Sequence, residues 1–464
     1  MRRLRGLLVL TLAALLVGAW PTPGWAEVSY AGLDSFLRAE FAAAHTPGAG
    51  VQVVGRDGVL FEQTYGTEGM PLDAPLGIGS LSKSFTAVAI TQLAERGQLR
   101  LDGYLADYLP GIAVGDQITI RQLLHHTSGL QDYQSTDHLT INGTPGVHKY
   151  AGVNYALLGE VVAAVSGLDY GTYLHDNVLA PLGLRHTFAS RREALADGLL
   201  LGHRNYFGFP IVEDIGEPEG HGYTSAAEGY LMSSVTDMGT YLRLFLGGGP
   251  PVISRASVET ILTDTVPASA TGRYGYGWFA LSGYREPAWE HSGTAEAYQS
   301  EMFILPESGI GVVILINNAD FLVGQRMMSR LFHGVLQDFA GERQLTSPRA
   351  GYWTQHIVVD VALLLLLATV VVPLARVRRW TKKVRERGSR RAWTIVWLTW
   401  WHVAWPTGLL LSPLVIGYPY FVLRGFSPDS FLVLVTTTGV AYATGVLKLV
   451  LWWRCTTPTR GTGL

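Results

Sequence analysis

The 464-residue sequence predicts an exported α+β domain, in which helices pack on an antiparallel sheet beside a mostly helical lobe, followed by three transmembrane helices. Three observations predict this class. Helical patterns stand at both ends of residues 27–345, strand patterns cluster at 277–317, and the apolar excess is concentrated after residue 350. A sheet assembled late in the chain, between terminal helices, indicates helices layered on that sheet.

Composition excludes several classes of function. The formal net charge is −2, so there is no electrostatic basis for binding nucleic acid. The single cysteine, Cys455, excludes an intrachain disulfide and a cysteine-cluster metal site. The sequence contains no H-E-x-x-H or comparable spacing, and we expect neither a metal ion nor an organic cofactor.

The first 26 residues are typical of a secretory signal peptide. Three arginines precede an apolar run at 7–20, and Pro21, Pro23 and Gly24 then end the apolar segment just before Ala26. An uncleaved signal anchor is the alternative. In either case the charge bias keeps the N-terminus inside and exports the domain that comes after it.

The exported domain, predicted at residues 27–345, contains recognisable elements in order. Apolar residues at helical spacing predict a helix at 30–45, and two apolar runs around Asp57-Gly58 predict a β-hairpin. Few strand patterns occur at 101–221, which predicts the helical lobe. The last elements expected are a helix from about Ser234 to Phe245, strands at 277–281, 288–292, 298–305 and 310–317, and a closing helix at 321–339.

Residues 77–87, Gly-Ile-Gly-Ser-Leu-Ser-Lys-Ser-Phe-Thr-Ala, predict a turn that runs into a helix. Ser80 then lies at the helix N-terminus, and Lys83 projects from the same face of the first turn. A serine hydroxyl is a weak nucleophile unless a base lies beside it, and a helix N-terminus favours the negative charge that develops there. Because this pattern also occurs by chance on many helices, its significance depends on the motifs found later in the chain.

Four further stretches occur in a characteristic order. They are Leu-Leu-His-His-Thr-Ser-Gly-Leu at 123–130, Tyr-Ala-Gly-Val-Asn-Tyr at 150–155, Tyr-Gly-Trp at 276–278 and His-Ser-Gly-Thr at 291–294. In this order and spacing, nearly all of residues 27–345 resemble the serine β-lactamase and penicillin-binding-protein family, on its class C and DD-peptidase side. The resemblance implies a β-lactamase/transpeptidase-like fold and an acyl-enzyme formed on a serine.

The resemblance also implies a role for each motif. Ser80 would be the nucleophile, and Lys83 and Tyr150 would move its proton. Which of the two is the base stays open, because Lys83 can accept a proton only when neutral and Tyr150 only as a phenolate. The backbone N–H groups of Ser80 and Thr294 would form the oxyanion hole, and Gly293 would let the strand approach the substrate closely.

Three positions bear on the substrate. His291 stands where β-lactamases commonly have lysine, which favours the family's peptidases and esterases. Ser292 would face a substrate carboxylate or amide, with a structural strand serine as the alternative. Gly152 is a departure, since the family usually has an asparagine there whose side chain bonds the substrate amide and the lysine. Its absence predicts an altered contact, weaker activity or a contact supplied from elsewhere; the nearby Asn154 matches a different position that shapes the loop.

Other polar and aromatic residues have simpler interpretations. We interpret His125 and His126 as packing or capping residues rather than metal ligands, because no metal-ligand spacing surrounds them. Trp278 and Tyr298 are equally consistent with core positions and with walls of a groove. Asp237 is interpreted as a helix-start residue.

The C-terminal region is typical of a membrane domain. Nine of the 13 tryptophans lie between Trp353 and Trp453, as expected where several helices cross two interfaces. Spans are predicted at about 357–375, 393–416 and 431–453. Residues 376–391 hold nine Lys and Arg against one Glu, so the positive-inside rule places this loop inside and residues 27–345 outside. The tail with Cys455 is then inside.

Together these features predict a multi-pass, membrane-anchored serine hydrolase whose catalytic domain is extracytoplasmic, on the periplasmic or outer face. The expected substrates are peptides containing D-amino acids, β-lactams, or related amides and esters, and membrane lipid is the other expected partner. The architecture also resembles membrane-anchored peptidases that remove an N-acyl-D-amino-acid cap from secreted prodrug metabolites, which gives a prodrug-maturation D-amino peptidase as an alternative.

A non-catalytic penicillin-binding or sensor-like module is the remaining alternative. A sensor needs an intracellular output module, and only a short basic loop and a short tail are present for it. Gly152 favours a non-catalytic module, whereas Ser80, Lys83 and Tyr150 together disfavour it.

Overall fold

A computed structural model describes residues 30–456, apart from residues 215, 217–224, 271, 322, 341–350, 388–390 and 416. The predicted signal peptide and the predicted domain boundary at residue 345 lie outside the described residues. The strands are, in chain order, β1 (Ala49–Gly55), β2 (Val59–Tyr65), β3 (Leu76–Gly77), β4 (His203–Tyr206), β5 (Phe209–Val212), β6 (Met232–Ser233), β7 (Val266–Pro267), β8 (Gly272–Gly275), β9 (Trp278–Leu281), β10 (Ala288–Ala295), β11 (Tyr298–Leu305), β12 (Ile310–Ile316) and β13 (Asn318–Ala319).

The α-helices fall into two groups. Those of the first group are α1 (Tyr30–Ala43), α2 (Ser82–Glu95), α3 (Ile120–Leu124), α4 (Val153–Ser166), α5 (Tyr170–Leu174), α6 (Ala180–Leu182), α7 (Arg191–Ala196), α8 (Val235–Phe245), α9 (Arg255–Thr263) and α10 (Gly324–Phe339). Those of the membrane region are α11 (Tyr352–Ala375), α12 (Val377–Arg387), α13 (Arg391–Thr399), α14 (Trp405–Val415), α15 (Tyr420–Phe426) and α16 (Pro428–Thr456).

An antiparallel sheet of eight strands, in the order β2-β1-β12-β11-β10-β9-β8-β7, organises the first group. All residues of β1 and β11 are buried, because helices cover both faces of the sheet. Alternate β1 residues such as Val51 and Val53 pack with α1 and α10, while Val54 packs with α2 and α8 on the other face. The predicted class, helices on an antiparallel sheet with a helical lobe, is the observed fold.

The structure adds a hairpin that the sequence does not predict. Strands β4 and β5 pair within the lobe, and β4 also pairs with β13. Each strand has only four residues. The burial of β4 alternates, but its residues, His-Arg-Asn-Tyr, show no apolar alternation in the sequence, and Phe209, Ile211 and Val212 of β5 are exposed. The Phe209 ring instead lies 5.3 Å from the Trp353 ring of α11.

Two helices of the described residues, Tyr352–Ala375 and Pro428–Cys455, are long and apolar enough to span a membrane. A third candidate is a bent pair, in which Trp393–Val415 and Tyr420–Phe426 meet at 84°. The first limb of that pair corresponds to the span predicted at 393–416. Its second limb, α15, lies beside the sheet domain.

The first membrane helix, α11, is fixed to the sheet domain by buried polar contacts. The Tyr352 hydroxyl accepts a hydrogen bond from Asn205 Nδ2 at 2.7 Å and donates to the Gly208 carbonyl oxygen at 3.1 Å. One turn later His356 Nε2 lies 2.8 Å from Asp320 Oδ2, and both side chains are buried. The helix is therefore docked on the domain rather than joined to it only by a linker.

This docking can be tested at His356. We expect His356→Ala to lower the free energy of unfolding of the full chain by about 1–3 kcal/mol, because it removes the donor from a buried carboxylate. The measurement is the melting temperature in detergent micelles, with Thr354→Ala on an exposed face of the same helix as the control.

A double-mutant cycle with Asp320→Ala separates the contact from a general effect of either change. We expect the double variant to lose less stability than the sum of the two single variants. Strict additivity would contradict the contact.

Candidate active site

Two glycines bring the Ser80 turn against strand β10. Ser80 lies in a 3₁₀ turn, Gly79–Leu81, which leads directly into α2. Gly79 has a φ of +54°, and a side-chain carbon on it would lie 2.6 Å from the Thr294 backbone nitrogen. A side chain on Gly293 would clash with the Ile78 carbonyl oxygen. The Thr294 N–H group therefore lies beside the turn that carries Ser80.

Lys83 joins Ser80 to a second element. Its Nζ donates to Ser80 Oγ at 3.0 Å and to the Glu228 carbonyl oxygen at 2.5 Å. Glu228 belongs to a π-helical turn, Ala226–Tyr230. The Lys83 side chain is buried, and its Nζ lies 5.0 Å from the centre of the Tyr150 ring. The amine is thus held at the serine hydroxyl from two sides.

Tyr150 is positioned by the histidine motif. Its ring centre lies 4.3 Å from that of His126, and its hydroxyl is buried with no hydrogen-bond partner among the described residues. His126 Nδ1 accepts from the Ala151 backbone at 3.3 Å and lies 2.9 Å from Asn154 Nδ2. Burial, with a contribution from the Lys83 charge, holds the pKa of His126 well below its usual range, so the ring is neutral.

The chain of contacts continues at Asn154, which accepts a hydrogen bond from Ser128 Oγ at 2.6 Å. His125 Nε2 lies 2.9 Å from the carbonyl oxygen of Asp264, the residue directly after helix α9. The stretch at 123–130 therefore holds the loop that carries Tyr150. Asn154 shapes this loop, as its position in the motif implies.

The strand motif is divided between two sides of β10. The His291 ring is buried 6.0 Å from the Tyr150 ring, centre to centre, and burial lowers its pKa to about 3. Ser292 and Gly293 line a small cavity with Glu290 and Gln299, which adjoins the cavity beside Ser80 at Thr294. His291 is thus placed as packing behind Tyr150.

Trp278, Tyr298 and Asp237 have structural positions. Trp278 is fully buried against Phe245, and the buried Tyr298 donates its hydroxyl to the Leu200 carbonyl oxygen at 2.9 Å. Asp237 lies in the first turn of α8, where its backbone N–H donates to Ser234 Oγ at 3.1 Å. Trp278 and Tyr298 are core residues rather than walls of the Ser80 cavity.

A cavity of about 540 Å³ opens at Ser80. Of the residues that the sequence predicts for the site, it brings together Ser80, Lys83, Tyr150, Gly152 and Thr294. Another part of the wall comes from α15, in the segment between two candidate spans, through Phe421, Val422, Arg424, Gly425 and Phe426.

Contacts on both sides hold α15 in this wall. The ring of Phe421 lies 5.7 Å from that of Tyr133, and the ring of Phe426 lies 5.8 Å from that of Phe321. The sequence predicts a loop outside the membrane near this point. It carries no signal that the loop belongs to the site, because the contact joins segments almost 300 residues apart.

Two acidic residues of the cavity are also absent from the sequence-based prediction. Asp132 Oδ1 accepts from the backbone N–H of Gly152 at 2.8 Å and of Tyr133 at 3.1 Å. A side chain on Gly152 would clash with Glu228 Oε2. The Glu228 carboxyl group therefore occupies the space into which an asparagine at 152 would extend.

Burial raises the pKa of Glu228 to about 8, an effect that the Asp132 charge increases and the Lys83 charge opposes. A carboxyl group with this pKa is a candidate functional group, because it changes charge near neutral pH. Among the described residues, no group of three or more His, Cys, Asp or Glu side chains is arranged to hold a metal ion.

The chain and its fold are similar to several known proteins. The chain is 24% identical over 463 residues to Protein flp of Staphylococcus aureus (strain MW2), covering 90% of each chain. It is 28% identical over 343 residues to penicillin-binding protein 4 of Amycolatopsis lactamdurans, covering 64% of this chain and 87% of that protein. The fold is similar to that of a D-stereospecific amidohydrolase from Streptomyces sp., with a TM-score of 0.54 and 24% identity over 66% of this chain and 99% of that one.

The family model described as Beta-lactamase matches residues 33–331. This match covers well over half of the chain and includes the Ser80 turn, the Tyr150 loop and strand β10. The chain therefore belongs to the Beta-lactamase family, which includes the serine β-lactamases and the penicillin-binding proteins.

Proposed function

We propose that this protein is a membrane-tethered serine hydrolase that forms an acyl-enzyme at Ser80 and acts on amides or esters outside the cytoplasm. The observation that carries the proposal is the 3.0 Å contact between Lys83 Nζ and Ser80 Oγ at the floor of an open cavity. A nucleophile and a base within hydrogen-bond reach are the minimum that acyl transfer requires.

The reaction can be derived from these positions. In the proposed reaction the Lys83 amine, in its unprotonated form, accepts the hydroxyl proton as Ser80 Oγ bonds to the substrate carbonyl carbon, and the backbone N–H groups of Ser80 and Thr294 stabilise the oxyanion. The bond to the leaving group then breaks, and the proton passes to the leaving nitrogen or oxygen. Water hydrolyses the acyl-Ser80 ester in a second step. Tyr150, whose ring centre lies 5.0 Å from Lys83 Nζ, is the proposed relay for this proton.

The choice of Lys83 as the immediate base rests on distance. Its Nζ lies 3.0 Å from Ser80 Oγ, whereas the buried Tyr150 hydroxyl has no hydrogen-bond partner among the described residues. The substrate class that the family resemblance favours is a peptide with a D-amino acid, and the Streptomyces relative in fold is a D-stereospecific amidohydrolase by name.

The first prediction of the proposed function concerns the nucleophile. We expect intact-mass measurement of the full chain to detect a covalent adduct after incubation with a fluorophosphonate or a penicillin, and no adduct on Ser80→Ala. A penicillin adduct favours D-peptide substrates, and a fluorophosphonate adduct alone favours ester-type or prodrug-type substrates. Folded protein that forms neither adduct would overturn the hydrolase proposal in favour of a non-catalytic module.

A second prediction concerns Lys83. Lys83→Met keeps the length of the side chain and removes the amine that contacts Ser80 Oγ. Because positioned proton transfer contributes about 10²–10⁴-fold, we expect the acylation rate to fall by a factor in this range. Tyr150→Phe is the matched comparison: if it slows acylation far more than Lys83→Met does, Tyr150 rather than Lys83 is the base.

A third prediction concerns orientation in the membrane. The basic helix α12 comes directly after the first candidate span, so we expect it and Cys455 to lie inside and the catalytic domain outside. In intact cells, a membrane-impermeant maleimide should leave Cys455 unlabelled until the membrane is permeabilised. In a Cys455→Ser background, Glu259→Cys on an exposed turn of α9 should react at once. The reverse pattern would invert the proposed topology.

The fourth prediction concerns the wall formed by α15. We expect Phe421→Ala to lower kcat/KM about tenfold for acyl groups long enough to reach α15, because one aromatic surface is lost from the cavity. Short acyl groups should be affected less, so the measured quantity is the ratio between a long and a short ester of one alcohol. Leu432→Ala, at an exposed position on α16, is the control. If the ratio of kcat/KM between the long and the short ester is the same in Phe421→Ala as in Leu432→Ala, α15 does not take part in substrate binding.

A further inference from the structure

Resting on the acyl-enzyme function proposed above, we propose that Glu228 and Asp132 bind a cationic ammonium group of the substrate next to the scissile carbonyl. The substrate class is then an amide or ester that carries a free amine on its acyl side. The proposed function alone does not require a free amine on the substrate, since acyl transfer at Ser80 proceeds equally on neutral acyl groups.

The first step is the state of Glu228. Its Oε2 atom is buried and has no hydrogen-bond partner among the described residues, and its side chain lines the Ser80 cavity. A buried polar atom without a partner costs free energy, so native structures rarely retain one. An unpaired carboxylate oxygen in the wall of a substrate cavity indicates that a ligand supplies the missing donor.

The second step is that two carboxyl groups converge on one point. A side-chain carbon built on Gly152 would clash with Glu228 Oε2 and would lie 3.4 Å from Asp132 Oδ1. The two carboxyl groups therefore lie close together beside Gly152, and both residues line the Ser80 cavity. An ammonium group in the cavity next to this pair would have two carboxyl acceptors, and ion pairs of this kind are the strong class of hydrogen bond.

The third step is the replacement of the expected asparagine by Gly152. The family resemblance implies a neutral asparagine amide at this position, directed at the substrate. Here the asparagine is absent, and the space is taken by a carboxyl group from the turn Ala226–Tyr230. An amide accepts a neutral partner, whereas two carboxyl groups favour a cation. The exchange thus changes the preferred charge of the ligand.

The fourth step is the surrounding charge. The charged and titratable groups facing Glu228 are Lys83, Asp132 and Tyr133, and the Lys83 amine is engaged by Ser80 and by the Glu228 backbone carbonyl. Elsewhere in the cavity, arginines already neutralise two carboxylates. Glu213 pairs with Arg204 at 3.0 Å, and Asp214 pairs with Arg191. The carboxyl groups beside Gly152 therefore keep an excess of negative charge when both are ionised.

Proton linkage agrees with cation binding. Burial raises the pKa of Glu228 to about 8, so an incoming ammonium must favour the ionised form and displace its proton. Binding of the cation therefore strengthens as the pH rises towards 8. A neutral ligand of the same shape has no such dependence.

The test measures binding separately from catalysis. Full-length Ser80→Ala protein in detergent micelles is titrated calorimetrically with D-alaninamide, whose amine is free, and with N-acetyl-D-alaninamide, whose amine is blocked. At pH 7 we expect the free amine to bind at least tenfold more tightly. Equal affinity, tighter binding of the acetylated compound or no detectable binding of the amine would overturn the proposal without any need for a site variant.

Variants in the same background locate the site. Glu228→Gln keeps the shape and removes the charge, and we expect it to reduce the preference for the amine at least tenfold; Asp132→Asn should act in the same direction. Glu296→Gln tests the carboxyl group on the α15 side of the cavity, and Glu259→Gln removes a distant exposed charge. If the preference survives Glu228→Gln, or is lost in Glu296→Gln instead, the assignment to Glu228 is wrong.

The two proposals fail in distinguishable ways. Absence of any adduct on folded wild-type protein rejects the acyl-enzyme at Ser80 and leaves the ammonium site to be judged by the calorimetric comparison. Adduct formation without preference for the amine retains the hydrolase and rejects the ammonium site.

Discussion

The position of one amine determines what this site can do. Lys83 Nζ is held between Ser80 Oγ and the Glu228 carbonyl oxygen, and each contact comes from a different element. Helix α2 and the turn before it supply Lys83 and Ser80, the turn Ala226–Tyr230 supplies the carbonyl oxygen, and strand β10 supplies the Thr294 N–H group. These elements approach closely only because Gly79 and Gly293 have no side chains where strand and turn meet. Backbone packing, more than any single side chain, therefore sets the geometry of the site.

Much of the sheet domain was predictable because its patterns are local. The fully buried run of β11 (Tyr298–Leu305) and the Asp-Gly turn between β1 and β2 are visible within a few residues of sequence. The start of α8 at Ser234 is equally local, since its side chain caps the helix. The β4–β5 hairpin was not predictable, because its strands are short and its apolar residues face outward towards α11 rather than into the core.

The site, like the sheet domain, has residues that the sequence predicts and residues that it does not. Ser80, Lys83 and Tyr150 belong to motifs whose order along the chain carried the prediction, and the structure brings them to one cavity. Glu228 and Asp132 belong to no motif in the sequence, and their relevance appears only in the three-dimensional arrangement around Gly152. Ser292 illustrates the opposite case. It stands in a motif, yet it lines a small cavity with Glu290 and Gln299 and is absent from the lining of the cavity beside Ser80.

The C-terminal region, which contains the candidate spans, also contributes to the cavity beside Ser80. Helix α11 is docked through His356 and Tyr352, and α15 reaches the cavity wall opposite Ser80. One wall is therefore built by the hydrolase domain and carries the reacting groups and an acidic pair. The other is built by the segment joining two candidate spans and is mainly apolar, with one arginine. A substrate that satisfies both walls must present a polar, reactive end to Ser80 and an apolar portion towards α15. The segment that joins two candidate spans thus also limits the shape and polarity of what the cavity can accept.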